Sequence, residues 1–333
     1  MMKLKNILIV CAAVAMVFIP SCKDKDDDTE SLPYLDGSVK FSMPLYVLPE
    51  KPFSLTPTGA KHPDGGGIGY FWYSSWDSTR DTVKREDAIG DGTWSFSTPA
   101  ETGEYTITAT AFAKNYSSLS FSMTFVVVDP SIEGSLKGAG YQTDSVTFTD
   151  PRDNAVYYLT TSGGKVWMQN NLFYPESGVS FFYCDAIDPI VGRLYSWNEA
   201  VSVCPEGWHL PSDAEFAALA GIDGDSYTRG AIIEGCAGSL MADVYFNGTK
   251  MWTFWPQVKI TNSSKFSAVP IGYAVDQEDS QKFNGANAYA VFWTSDSDGD
   301  SGIYRYIYED KTDVYCAKGD KKSFRASVRC VKD

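Results

Sequence analysis

Cys204-Pro-Glu-Gly-Trp-His-Leu-Pro-Ser-Asp-Ala-Glu-Phe216 is the stretch from which the C-terminal half of the chain can be read outward. Ser212 followed three places later by Glu215 is a capping-box pattern, in which a hydroxyl and a carboxylate each satisfy a backbone N–H left unpaired where a helix starts. A helix is expected to begin here, with Phe216, Leu219 and Ala220 on one face and turned to the core. The segment also crowds Cys204, His209, Asp213 and Glu215 together, which invites a thiol active site. The chain holds only two histidines, His62 and His209, and neither assembles a triad. No phosphate loop or dinucleotide motif is present, and no enzyme is expected.

At 333 residues and 44% hydrophobic content the chain is globular and long enough for two domains. Lys3 and Lys5 precede an apolar run, residues 7–19, that is too short and wrongly flanked for a transmembrane anchor. Ile19-Pro20-Ser21-Cys22 resembles a bacterial lipobox, with Pro20 as the departure from it. Residues 1–21 then read as a lipoprotein signal peptide and Cys22 as the lipidation site, so that membrane contact is through the N-terminal lipid only. The charged run 23–30 cannot bury apolar surface, which makes residues 22–33 a solvated acidic tether. Acidic residues just after a lipid cysteine resemble the export signal of surface lipoproteins in Bacteroides-type bacteria. That resemblance implies the outer face of the outer membrane.

Loss of Lys3 and Lys5 with the signal would take the net charge from −14 to about −16. Such a chain repels phosphate backbones and anionic polymers, which excludes nucleic acid and suits neutral glycans, basic proteins or cations.

Residues 34–130 show short alternating runs split by turns. Tyr105, Ile107, Ala109 and Ala111 alternate cleanly, and residues 63–67 and 101–103 mark turns. An all-β sandwich of about seven strands is expected. The pieces Gly69-Tyr70-Phe71-Trp72, Phe96-Ser97-Thr98-Pro99 and Thr102-Gly103-Glu104-Tyr105 resemble PKD-like and Ig-like modules of bacterial surface proteins, which implies a spacer with Trp72 buried. Tyr73 and Trp76 are its better binding candidates, because alternation places at least one of them opposite Trp72. Residues 131–143, Gly-rich and weakly patterned, read as a linker.

From residue 144 to 333 the order is a hairpin around Ser162-Gly163-Gly164, then a second capping box, Ser196 with Glu199, with Leu194, Trp197 and Val201 at helical spacing. The colinear pieces Trp167-Met168-x-x-Asn171-Leu172, Gly192-Arg193-Leu194-Tyr195-x-Trp197, the opening stretch, Phe266-Ser267-Ala268-x-Pro270, Phe292-Trp293-Thr294-Ser295 and Ser327-Val328-Arg329-Cys330-Val331 together resemble the Fibrobacter succinogenes major paralogous domain. The resemblance implies an α+β, C-type-lectin-like fold with a long irregular region, here residues 221–290. It also implies a Cys204–Cys330 bridge. Cys184, Cys236 and Cys316 lie outside the motifs and their pairing stays open.

The sugar-binding signatures of calcium-dependent lectins are absent, so no cofactor is expected. Asp296, Asp298 and Asp300 alternate as in a calcium loop, but Ser301 replaces the loop glycine and Ile307 the bidentate glutamate, leaving them a weak calcium candidate. Ligand binding is placed instead in the long region, on Trp252 and Trp255 with Asn247, Tyr273 and Asn287, unless the two tryptophans fill its base. Tyr245 and Tyr289 are weaker candidates. The expected function is a cell-surface lipoprotein whose lectin-like module binds an extracellular glycan or protein; the alternative is a structural subunit of a surface assembly such as a fimbrial tip.

Overall fold

The computed structural model describes residues 32–76, 92–129, 136–137, 146–246, 249–252, 258–278 and 280–333. Strand dominates throughout. Before residue 130 run β1 (Asp36–Lys40), β2 (Tyr46–Val47), β3 (Pro52–Leu55), β4 (Thr58–Lys61), β5 (Gly69–Ser74), β6 (Trp94–Ser97), β7 (Gly103–Phe112) and β8 (Leu119–Val127). Contacts divide the chain into two compact units. The first takes the chain to Phe41, with residues 56–94 and 107–122; the second takes 42–55, 95–106 and 123–333.

In the first unit β1 runs antiparallel to β4, and β5 pairs with the later part of β7, Trp72 opposite Ala109. Period-two alternation does what the sequence led one to expect: Ile107, Ala109 and Ala111 are sealed from water. Trp72 is buried, with Phe41 edge-on at 4.9 Å and Trp94 stacked at 5.5 Å, while the adjacent Tyr73 points the other way and is 54% exposed.

In the second unit β2 runs parallel to the end of β8, and β3 with β6 forms a two-stranded sheet. Beyond residue 130 come β9 (Leu136–Lys137), β10 (Thr147–Thr149), β11 (Val156–Ser162), β12 (Lys165–Met168), β13 (Val179–Ser180), β14 (Arg193–Ser196) and β15 (Trp208–His209). After them follow β16 (Tyr245–Phe246), β17 (Thr249–Lys250), β18 (Tyr273–Asp276), β19 (Gln281–Asn284) and β20 (Tyr289–Asp298). The last are β21 (Ser301–Tyr308), β22 (Val314–Asp320), β23 (Phe324–Ala326) and β24 (Val331–Lys332). They form the sheets β10-β11-β12-β24-β15, β13-β14-β23-β18-β19, β17-β16-β9 and the meander β20-β21-β22. Of the segment read as a linker, the described residues are β9, paired with β16. The stretch 221–290 read as irregular carries β16 to β19 and a short helix, Ala237–Leu240.

Gly163 and Gly164 close the β11–β12 hairpin with φ of +58° and +73°, the two positive values that a two-residue turn of matching twist needs. Both capping boxes form. Ser196 Oγ accepts from the Glu199 N–H and Glu199 from Ser196, opening the helix Trp197–Val203; Ser212 and Glu215 do the same for Asp213–Leu219. Phe216 and Leu219 are buried as the spacing predicts, packed with Trp167, Phe266 and Phe292. The first helix differs from expectation. Val201 is 44% exposed, and Ala200 and Val203 turn inward instead, because Leu194 belongs to β14 and sets no helical phase. The helices described in this half are each seven residues or fewer.

Cys204 and Cys330 are bridged across 126 residues of chain. Closing so long a loop contributes about 5 kcal/mol in the chain-entropy account.

Candidate functional site

The segments that carry the family pattern converge on one another rather than on a cleft. Arg329, fully buried, donates from Nε to Asn171 Oδ1 at 2.6 Å and from its other nitrogens to the carbonyls of Phe266 and Ser267. Trp293 Nε1 donates to the Tyr195 carbonyl at 2.7 Å, and Trp197 Nε1 to that of Thr294 at 2.9 Å. Asp213, at the first turn of its helix, takes a bidentate pair from Arg305 at 2.6 and 2.9 Å, a hydrogen bond from Tyr227 and another from the Gly230 N–H. Burial alone would raise the Asp213 pKa; these donors outweigh it and hold the carboxyl below the ordinary value. His209 lies between Glu215 at 3.1 Å and Asp333 at 2.5 Å, and Cys204 is consumed by its disulfide, so the thiol–imidazole pair does not exist. The opening stretch is a fastening.

The sequence-derived ligand residues do not gather. Trp252 is 1% exposed and belongs to the core with Phe266 and Val258, so its ring offers no face to a ligand. Trp255, Asn247 and the lipidation site Cys22 lie outside the described residues. Asn287 is a turn residue with φ of +63°, its N–H donating to the Pro270 carbonyl. Two of the aspartates have other partners: Asp296 accepts from the Asp213 N–H and pairs with Arg229, and Asp298 pairs with Lys318, while Asp300 is tied through its backbone carbonyl, which accepts from the Lys321 N–H. Among the described residues no three acidic, histidine or cysteine side chains are gathered to hold a metal ion. Cys184, Cys236 and Cys316 are free thiols.

Two sequence-derived residues, Tyr273 and Tyr289, do sit in a concentration of half-exposed chemistry. In the meander β20-β21-β22, alternation puts Tyr289, Tyr304, Tyr306, Tyr308 and Tyr315 on one face. All are half-buried, and Tyr273 of β18 and Phe324 of β23 extend the same surface. Cross-strand partners pack ring to ring: Tyr289 and Tyr308 lie 4.5 Å apart between centres, tilted by 34°, and Tyr306 stacks on Tyr315 at 5.3 Å. Tyr304, Phe324 and Tyr273 form a second stack, at 4.7 and 5.1 Å. These separations are close to the ~4.8 Å strand spacing, so cross-strand rings stand side by side, faces toward one another and edges outward.

Two glycines make room at one end. A Cβ on Gly302 would lie 2.2 Å from Trp197 Cδ1, and one on Gly319 2.8 Å from the Phe324 ring. The register pairs these glycines directly, which lets both large rings lie on the sheet. Among the described residues none of the six tyrosine hydroxyls has a hydrogen-bond partner, and none is sealed from water. Burial, then the neighbouring phenols, pushes the Tyr304 hydroxyl up to about 12 and raises those of Tyr289 and Tyr306, so these phenols are neutral at physiological pH and can both donate and accept. The surface is rigid, uncharged and rich in hydroxyls, suited to contact and hydrogen bonding and without a nucleophile or proton-transfer pair. Sequence reading found only Tyr273 and Tyr289. The signal for the rest was the period-two run Tyr304-x-Tyr306-x-Tyr308.

No curated protein matches the chain. Among solved structures, the adhesin InvE of Yersinia pseudotuberculosis is similar at 11% identity over 90% of this chain and 70% of that one, with a TM-score of 0.25, too slight a likeness to bear on fold or function. The family model of the Fibrobacter succinogenes major domain matches residues 160–332, the span that holds the Arg329 knot, the disulfide and the tyrosine face, and the chain belongs to that family.

Proposed function

We propose that this chain is a lipid-anchored surface protein whose C-terminal domain binds an extracellular glycan or protein through the tyrosine face of β20-β21-β22. The single observation behind the binding site is that face: packed rings already immobilised by one another, with hydroxyls that are not sealed from water and have no partner among the described residues. Tyrosine surfaces of this kind give large contact area at low entropic cost, since the side chains have little freedom left to lose. The anchor reading rests on Lys3, Lys5, the apolar run, Cys22 and the acidic residues behind it. The C-type-lectin-like architecture belongs to this proposal and is supported by the family; the N-terminal strands serve as an Ig-like spacer.

Pull-downs from cell surfaces and glycan arrays test the binding site. Wild-type chain should capture a ligand that Tyr306→Ala/Tyr315→Ala loses by about tenfold or more, in the range of two interface anchors. Retention of that ligand by the variant would remove the face from consideration. A fixed protein partner that sugars do not displace would select a structural subunit of a surface assembly. For the anchor, fatty-acid incorporation and protease accessibility on whole cells should both disappear with Cys22→Ser.

A further inference from the structure

We propose that the tyrosine face takes a short stretch of uncharged glycan, gripped by phenol hydroxyls rather than by ring faces and without a metal ion; the inference rests on the binding-face reading above. The rings have spent their faces on each other. Tyr304 and Phe324 lie within 8° of parallel and Tyr306 and Tyr315 within 22°, at stacking distance, so what reaches solvent is ring edges and hydroxyls. The hydroxyls of Tyr273, Tyr289, Tyr304, Tyr306, Tyr308 and Tyr315 are not sealed from water and have no partner among the described residues. Each can give one hydrogen bond and accept others, which matches a sugar hydroxyl in both senses.

Size and charge narrow the class. From Tyr304 to Tyr308 the strand rises ~13 Å, and β21 with β22 spans ~5 Å, since Val291 and Trp293 of β20 are sealed, giving a platform on the order of 65 Å² before Tyr289, Tyr273 and Phe324 are added. A stable protein partner needs about 800 Å² from each side, so the platform alone is too small for one. The cations beside it are occupied. Lys321 lies over the Trp197 ring at 4.3 Å and donates to the Gly299 carbonyl, and Arg325 pairs with Asp276 and Glu199. With a chain of net charge −14, carboxylated or sulfated polymers are repelled rather than held.

The test uses the full chain and Tyr306→Phe/Tyr315→Phe, which keeps both rings and removes two hydroxyls. Both are applied, in EDTA, to an array of neutral gluco-, manno- and galacto-oligosaccharides alongside their sulfated and uronic-acid counterparts. Wild type should hold one or more neutral members, and the variant should hold them about tenfold more weakly, as two lost hydrogen bonds require, with an unchanged thermal midpoint. Equal binding by the variant, a need for calcium, or retention of charged glycans alone would overturn the inference. If the array is silent but surface proteins are captured by wild type and lost by Tyr306→Ala/Tyr315→Ala, the glycan inference fails while the binding face stands. Silence in both fails both.

Discussion

The two faces of the meander β20-β21-β22 are built from the same three strands and do opposite things. The inner face carries Ala290, Phe292, Ile307 and Val314, all essentially sealed, and holds the buried Arg305 in a bidentate pair with Asp213. The outer face carries half-buried tyrosines that lean on one another and on Val291 and Trp293, which share that face and are sealed. Apolar area removed from water stabilises the first at about 25 cal/mol per Å². The second keeps part of its apolar area in water, and its rings present edges and hydroxyls there. Alternation alone separates them, one residue apart.

The largest loss of stability should come from the inner face. Arg305→Met leaves the Asp213 carboxylate buried without its cation and should cost about 3–5 kcal/mol in denaturant unfolding, far more than any single tyrosine outside. Gly302→Val strikes at the outer face from beneath: with Trp197 2.2 Å from the new Cβ, the indole must leave or the strand must shift, at about 1–3 kcal/mol.

Acid and alkali should separate the faces without any mutation. Asp213 has a lowered pKa, so its contribution is full above the ordinary carboxylate value and is lost as pH falls below it; the inner face fails first in acid. Tyr304 is raised from 10.0 to about 12 by burial and its neighbouring phenols, so its contribution is full below pH 10.0 and is lost as pH climbs toward about 12. Stability against pH, followed with tyrosinate absorbance, should therefore fall at both ends, and Arg305→Met should remove the Asp213 share of the acid limb, leaving that of Asp150, Glu199 and Glu215, without changing the alkaline limb. Smallest of all, Tyr306→Phe should change stability by less than about 0.5 kcal/mol, as befits a hydroxyl with no partner among the described residues.

Much of the scaffold was written locally. A serine with a glutamate three residues on names a helix start whatever surrounds it, and both such pairs formed; Gly163-Gly164 names a tight hairpin by the φ it permits. The Cys204–Cys330 bridge was legible only through the family pattern, since five cysteines beyond residue 22 leave several pairings. The site was harder. Trp252 and the tyrosines are alike in composition, and what sends the first inside and leaves the others at the surface is tertiary: Trp252 falls among Phe266 and Val258, whereas Tyr304 to Tyr308 share a strand whose other side was claimed by Ile303, Arg305 and Ile307. An alternating run shows that two faces exist. Which one is wet depends on where Asp213 and its helix come to lie, more than ninety residues earlier in the chain.

The central claim, that the outer face binds while the inner face only supports, is tested most directly by calorimetric titration of wild type and Tyr306→Ala/Tyr315→Ala with the ligand that wild type selects, each preparation also melted. The account predicts affinity lower by about tenfold or more in the variant, with a thermal midpoint within a few degrees of wild type. Full affinity in the variant at an unchanged midpoint would contradict it.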